Sequence, residues 1–375
     1  MVVQSRISLP ARSTPVARTT PTVPEKIQER IGEWRERNGV PGVSVSIRRA
    51  GTEVLSTADG HAELKTSRSL RLEDAMWAGS VTKTLTSALV LKLAEAGKLS
   101  LSDRVDRWYP ELPHARDISI RMLLKQQSGI PDYDESDRFS KALYPPHPGL
   151  FEPWDEVTMV KELSNPDRTR LPDKHFRYSN SNYWMLGRIA EKTTGQPLAD
   201  LMRNELFTPT GVTGARFDTG RGSSPVTAHE YTQDGSGGFL DQHAIYGENS
   251  MIRSVLGGAG GAVASASDLA RVGESLLWKR GSGLSAPTRD ALIGSATAYA
   301  SGYGFGIYEQ PLKVGDRSER AVGHNGAVFG ASSFLLHLPS TDETVAITAN
   351  GHPTADGLER LAGDLLVALR SGGSP

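Results

Sequence analysis

Residues 76–105 read MWAGSVTKTLTSALVLKLAEAGKLSLSDRV, and the fold turns on this stretch. After Ser80 the run TLTSALVLKLAEAGKL is apolar nearly all round, which predicts a central buried helix closed by Gly97. At its head stands Ser80-Val81-Thr82-Lys83, the only Ser-x-x-Lys in the chain. A serine at a helix N-terminus with a lysine three residues on sets hydroxyl and amine on one face, about one turn apart. The unpaired N–H groups and the positive dipole end there favour a deprotonated oxygen. Such a pair can turn an alcohol into a nucleophile without a histidine triad. One Ser-x-x-Lys is expected by chance in roughly every chain of this length, so the surrounding sequence has to decide.

Outward from the helix, residues 24–37 (PEKIQERIGEWRER) carry Ile27, Ile31 and Trp34 at helical spacing and predict a surface helix. Residues 42–47 and 53–56 read as strands joined around Ala50-Gly51. From about 100 to 280 helices alternate with Pro/Gly-rich loops, at 120–126, 183–194, 198–206 and 267–277, while 220–260 reads as a glycine-rich loop. Strand patterns return at 303–309, 321–323, 333–337 and 344–348, ahead of an amphipathic helix over 355–369. Strands at both ends and helices between them predict an α/β fold with a discontinuous domain, 24–75 joined to 285–375. It is an antiparallel sheet flanked by the terminal helices, with a mainly helical domain, 76–284, inserted. Residues 1–23 are expected to form a disordered tail. The cleft between two such domains is the expected place for a small-molecule site.

A chain of 375 residues is long enough for two lobes around a full core. A net charge of −1 gives no electrostatic reason to expect nucleic acid or an acidic membrane as a partner. The absence of cysteine excludes disulfides, thiolate metal sites and a cysteine nucleophile. The histidines form no His-x-x-x-His pair, and GGAGGAVAS lacks the Lys-Ser/Thr of a phosphate loop, so neither metal nor nucleotide cofactor is expected. No apolar run of signal-peptide type occurs in the first 23 residues, and none anywhere reaches the roughly 18 residues of a membrane span. The expectation is a cytoplasmic protein, or a secreted one if a leader has been trimmed from its N-terminus. Composition carries no signal of oligomeric state.

Downstream lie Tyr178-Ser179-Asn180, the chain's only Tyr-x-Asn, and Gly323-His324-Asn325-Gly326-Ala327. A second His-x-Gly, His147-Pro148-Gly149, sits in a Pro-rich loop ahead of the tyrosine motif. Taken in order, Ser-x-x-Lys, Tyr-x-Asn and His-x-Gly match a serine acyl-transfer layout. The chain resembles the serine β-lactamase and DD-peptidase superfamily, in particular its class C-like branch of DD-carboxypeptidases, esterases, amidases and transacylases. The resemblance covers roughly residues 25–370 and extends to MLLKQQSGIPDY, FRYSNSNYWMLGRIAEKTTGQPL, GGAGGAVASASDLAR and YGFGI. It implies the β-lactamase/DD-peptidase-like fold.

It also implies roles. Ser80 would attack a carbonyl and become acylated. Lys83, partly desolvated, would lose its proton below the ordinary lysine value of about 10.4 and take the serine proton, or as a cation would lower the tyrosine pKa. Tyr178 would exchange protons with Ser80 and protonate the leaving group. Asn180 would bind Lys83 and the substrate's acyl amide. His324 stands where β-lactamases carry lysine; it would bond Tyr178 or the substrate, with a charge that switches near neutrality. Asn325 replaces the usual threonine, Gly326 admits the substrate backbone, and the N–H groups of Ser80 and Ala327 would form an oxyanion hole worth ~3–4 kcal/mol per donor. Arg317 and Arg320 are near His324 in sequence but have no assigned carboxylate-binding role. The implied reaction forms an acyl-Ser80 intermediate from an amide or ester carbonyl of a small molecule or short peptide. A D-alanyl-D-alanine carboxypeptidase-like peptidase, an esterase or an amidase comes first. The alternatives are a transacylase or peptide-cyclising thioesterase, a class C β-lactamase, and a non-catalytic ligand-binding protein.

Overall fold

The computed structural model describes residues 23–143, 152–172, 175–220, 224–246, 251–297 and 302–371. All but the last residue of the tail expected over 1–23 therefore lies outside the described residues, as does His147-Pro148-Gly149. Helix α1 (Val23–Arg37) leads into the hairpin β1 (Gly42–Arg49) and β2 (Thr52–Glu63), followed by the short strands β3 (Arg68–Ser69) and β4 (Met76–Trp77). The hairpin turns on Ala50 and Gly51, both left-handed at φ 49° and 91°.

Next come α2 (Thr82–Glu95), α3 (Ile120–Leu124), α4 (Asp137–Leu143), α5 (Glu156–Leu163), α6 (Asn180–Thr194) and α7 (Leu198–Leu201). The last continues as a wider π-helical turn over Met202–Phe207, where one regular helix over 198–206 was expected. Then follow β5 (Arg216–Phe217), β6 (Tyr231–Gln233), β7 (Phe239–Asp241), α8 (Gln242–Tyr246), α9 (Met251–Gly260), β8 (Ala262–Ala264), α10 (Ala266–Leu277) and α11 (Ala286–Thr297). The chain closes with β9 (Tyr308–Val314), β10 (Arg317–Val328), β11 (Ala331–Leu338), β12 (Glu343–Ala349) and α12 (Leu358–Ser371).

Strands from both ends of the chain form one seven-stranded antiparallel sheet in the order β3-β2-β1-β12-β11-β10-β9. Alternation along β11 assigns its faces: Phe334 and Leu336 pack with Ile27, Ile31, Leu361 and Leu365 of α1 and α12, while Leu335 joins the core on the other side. That second face is covered by α10, where Gly273 leaves room for the Leu335 side chain. The terminal helices flank the sheet as expected, and with α10 on the other side both faces are buried, which explains why β11 is buried along its whole length.

Two local expectations fail. Residues 303–309 do not run as one strand: Tyr303 makes a single bridge to Tyr308, and Gly302 and Gly306 (φ 72° and 67°) fold the segment back before β9 begins. Within 220–260, Met251–Gly260 is a helix kinked at Gly257. Its glycines are there for packing: a Cβ on Gly258 would overlap the Tyr183 carbonyl, and one on Gly257 would press on the Trp184 ring. No helix among the described residues is long and apolar enough to cross a membrane.

Candidate active site

The segment before α2 fixes the position of Ser80. β4 pairs with β8, Ala78 N–H donates to Ala262 O at 2.7 Å, and Ser333 Oγ on β11 donates to Ala78 O at 2.6 Å. Gly79, at φ 48°, turns the chain into a single 3₁₀ turn, Gly79–Val81, which carries Ser80 to the start of α2. Helix α2 is buried on nearly all sides, and its threonines are satisfied by backbone: Thr84 Oγ1 donates to Gly306 O and Thr86 Oγ1 to Gly258 O. One full turn beyond the serine, this buried helix carries a lysine.

Lys83 is 0% exposed, and its Nζ lies 2.9 Å from Ser80 Oγ, 2.7 Å from Asn180 Oδ1 and 2.9 Å from Ala259 O. Burial pushes its amine down to about 7, against the pull of the Asp132 and Asp134 carboxylates. The three contacts match either protonation state. As an ammonium it donates to all three oxygens. As an amine it donates to Asn180 and Ala259 and accepts the Ser80 hydroxyl proton on its lone pair.

Tyr178 approaches from the other side, its Oη donating to Ser80 Oγ at 2.8 Å. Burial holds this phenol well above its ordinary pKa, so it rests protonated. Its Oη–H and the Lys83 lone pair thus act on one serine oxygen, donor on one side and acceptor on the other. The residues reach this point because the head of α6 is stitched to the 126–133 segment. Ser179 N–H donates to Gln126 Oε1, Tyr133 N–H to Ser181 Oγ, and Ser181 Oγ–H to Pro131 O.

β9 pairs with β10 only as far as Gly323, so residues 324–328 face Ser80 with an edge that no strand among the described residues occupies. The approach is close: a Cβ on Gly326 would overlap Ala78 O and lie 2.9 Å from Ser80 N, and one on Gly79 would lie 2.9 Å from Ala327 N. The two N–H groups expected to hold an oxyanion are therefore neighbours, and both glycines are needed to bring them together.

Other placements differ from expectation. The Asn180 amide hydrogens point to carboxylates, Nδ2 donating to Asp132 Oδ2 at 3.2 Å and Asp134 Oδ2 at 2.9 Å, so in the resting site they are already engaged. His324 makes no hydrogen bond to Tyr178; its Nδ1 contacts Asn325 O and its ring packs on Tyr308 with centroids 4.8 Å apart. Burial, reinforced by the Lys83 charge, drives its pKa down to about 3. The expected charge switch near neutrality is therefore corrected: the imidazole stays neutral. Asn325 is exposed at the rim. Arg317 and Arg320 lie toward the other end of β10, and Arg320 is bound to Glu309 at 2.7 Å.

Ser80 sits where two cavities meet. One, of about 300 Å³, is lined by Tyr133, Asp134, Phe139, Leu256 and Phe329; the other, of about 290 Å³, by Tyr178, Tyr308, His324 and Asn325. Among the described residues no group of three His, Asp or Glu side chains is placed to hold a metal ion.

Asp132 was missed by sequence reasoning, although it lies inside the quoted segment MLLKQQSGIPDY. Its Oδ2 accepts the Asn180 backbone N–H at 2.9 Å as well as Nδ2, which turns Asn180 Oδ1 toward Lys83. Burial and the neighbouring Asp134 raise the Asp132 pKa. With Lys83 as the expected base, the acidic limb of kcat/KM is expected near pH 7, where its amine loses its proton. Because Asp132 favours the ammonium, Asp132→Asn is expected to move that limb down by about one pH unit. A pH–rate profile from 5 to 9 checks this; an unmoved or rising limb contradicts the coupling.

Three comparisons bear on this site. The model of a family described as Beta-lactamase matches residues 26–369. Penicillin-binding protein 4* of Bacillus subtilis (strain 168) is 29% identical over 196 residues, 50% of this chain and 40% of that protein. D-aminopeptidase of Brucella anthropi is 29% identical over 205 residues, 50% of this chain and 38% of that protein. The chain thus spans less than half the length of these curated relatives. Among solved structures, D-amino acid amidase from Ochrobactrum anthropi SV3 with L-phenylalanine amide superimposes with a TM-score of 0.76. It is 21% identical and covers 93% of this chain and 99% of that one, a likeness of fold.

Proposed function

The chain belongs to the beta-lactamase family, and from that premise we propose that it is a serine amidohydrolase that cleaves small aminoacyl amides or esters through an acyl-Ser80 intermediate. The observation that carries this reading is the convergence of Lys83 Nζ and Tyr178 Oη on Ser80 Oγ, at 2.9 and 2.8 Å.

Neutral Lys83 takes the Ser80 proton as Oγ bonds to the substrate carbonyl carbon, and the N–H groups of Ser80 and Ala327 receive the oxyanion. The carbonyl–nitrogen bond breaks as Tyr178 gives its phenolic proton to the leaving nitrogen. Lys83 is now an ammonium, 4.9 Å from the centre of the Tyr178 ring, and its charge supports the phenolate. In deacylation the phenolate takes a proton from water, the hydroxide adds to the ester carbonyl, and Ser80 Oγ departs with the Lys83 proton. All three groups return to their starting states.

The aminoacyl part of the reading rests on the first cavity. Its walls are mostly apolar; the polar residues are Ser80, Asn180, Tyr133, His352 and Asp134, the last a carboxylate suited to a substrate ammonium. His352 is taken up in holding the β10–β11 turn, through Gly330 N–H and Ser332 Oγ. D-aminopeptidase among the relatives and D-amino acid amidase among the structural neighbours point to the same substrate class. Rapid quench after mixing with p-nitrophenyl acetate, followed by peptide mapping, is expected to find the acetyl group on Ser80. No adduct, or an adduct only on another residue, overturns the reading.

A further inference from the structure

The cavity on the Tyr178 side receives the leaving group, because the group that takes the Tyr178 proton must lie within reach of its Oη, and Tyr178 lines only this one of the two cavities meeting at Ser80. No arginine or lysine is among its described lining residues. The side chain placed to supply a charge is His324, and its surroundings deny it one. A carbonyl oxygen can only accept, so Nδ1, against Asn325 O, carries the ring hydrogen. Nε2 is buried with no hydrogen-bond partner among the described residues. The groups facing the ring are the phenols of Tyr178, Tyr303 and Tyr308, with centroids at 6.4, 5.8 and 4.8 Å, and the Lys83 amine, whose charge opposes an imidazolium. The nearest carboxylate in sequence on β9, Glu309, is bound to Arg320.

A carboxylate entering this cavity meets phenol rings and a dry imidazole, with at best an uncharged donor from Asn325 at the rim. The Lys83 ammonium of the acyl-enzyme is already matched by the Tyr178 phenolate, so desolvating the carboxylate there finds no charge to offset it. An uncharged amine, alcohol or primary amide loses far less on entry.

We propose that this cavity selects uncharged leaving groups and acyl acceptors and rejects those carrying a carboxylate, with the neutral His324 as the specificity-determining residue. The proposal rests on the acyl-Ser80 reading, and by microscopic reversibility an acceptor occupies the same cavity as a leaving group. The test therefore starts from enzyme acetylated with p-nitrophenyl acetate and offers it D-alaninamide or D-alanine at equal free-amine concentration. Failure to form acetyl-Ser80 counts against the acyl-enzyme reading; discrimination between acceptors is a separate readout.

D-alaninamide is expected to speed release of the acetyl group at least tenfold more than D-alanine, with N-acetyl-D-alaninamide as product by mass spectrometry. His324→Lys is expected to narrow that ratio at least fivefold, whereas His324→Gln, uncharged, keeps it; melting curves confirm that both variants fold. Equal acceleration by the two acceptors, acceleration by neither, or an unchanged ratio in folded His324→Lys overturns the proposal.

Discussion

Ser80→Ala is expected to lower kcat by on the order of 10⁵–10⁶-fold, as removal of a serine nucleophile does in other acyl-transfer enzymes, and to abolish covalent labelling by p-nitrophenyl acetate. The substitution removes a single hydroxyl. Lys83 keeps Asn180 Oδ1 and Ala259 O as partners, and the backbone around residue 80 is held by Ala78, Ser333 and the strand pair β4–β8, none of which uses the serine side chain. The melting temperature should therefore stay close to that of the parent protein. Burst kinetics and a thermal melt on the same sample separate the two effects. A variant that retains more than about a hundredth of the parent rate would require another nucleophile.

The largest stability effect is expected behind the site, at Asp218. This buried carboxylate accepts Arg253 Nε and Nη2, both at 2.9 Å, Trp77 Nε1 at 3.1 Å and Gly220 N–H at 2.8 Å. Arg253 itself is 1% exposed. Asp218→Ala strands a buried guanidinium from its carboxylate and removes the acceptor of two further N–H groups. A loss of roughly 3–5 kcal/mol follows from the charge alone. Arg253 belongs to α9, whose Ala259 carbonyl holds Lys83, and Trp77 lies three residues before Ser80, so the acyl-enzyme rate should fall along with stability. Urea denaturation of the parent and of Asp218→Ala gives the difference; a change below about 1 kcal/mol would mean that the pair is dispensable.

The parts of the site written in local sequence were legible. Ser80 and Lys83 lie one turn apart at the head of an unmistakably apolar helix, and Tyr178 with Asn180 directly precedes and opens α6. The strand patterns near the C-terminus fell on β10, β11 and β12; in β11 and β12 burial of both faces keeps the runs largely apolar. Helix α9 was not legible, since glycine in isolation reads as loop. The close approach of Gly257 and Gly258 to α6 is visible only once both helices are packed. Asp132 was hidden for a related reason: in a Pro-Asp-Tyr turn it looks like any turn aspartate, and its hold on Asn180 spans 48 residues. The neutrality of His324 is likewise a property of its burial and of the Lys83 charge brought near it by the fold, not of the His-x-Gly motif.

The triple contact of Lys83 has a consequence for the speed of the proposed reaction. Both charge states of the amine find the same three oxygens waiting, so the proton can arrive and depart while the nitrogen, Asn180 and the α9 carbonyl stay where they are. The site does in advance what water would have to do by turning its dipoles at each step. Little of the activation barrier then goes into rearranging the surroundings of the moving proton. The Ala259 carbonyl of α9, a helix distant in sequence from Ser80, is in this sense part of the proposed base.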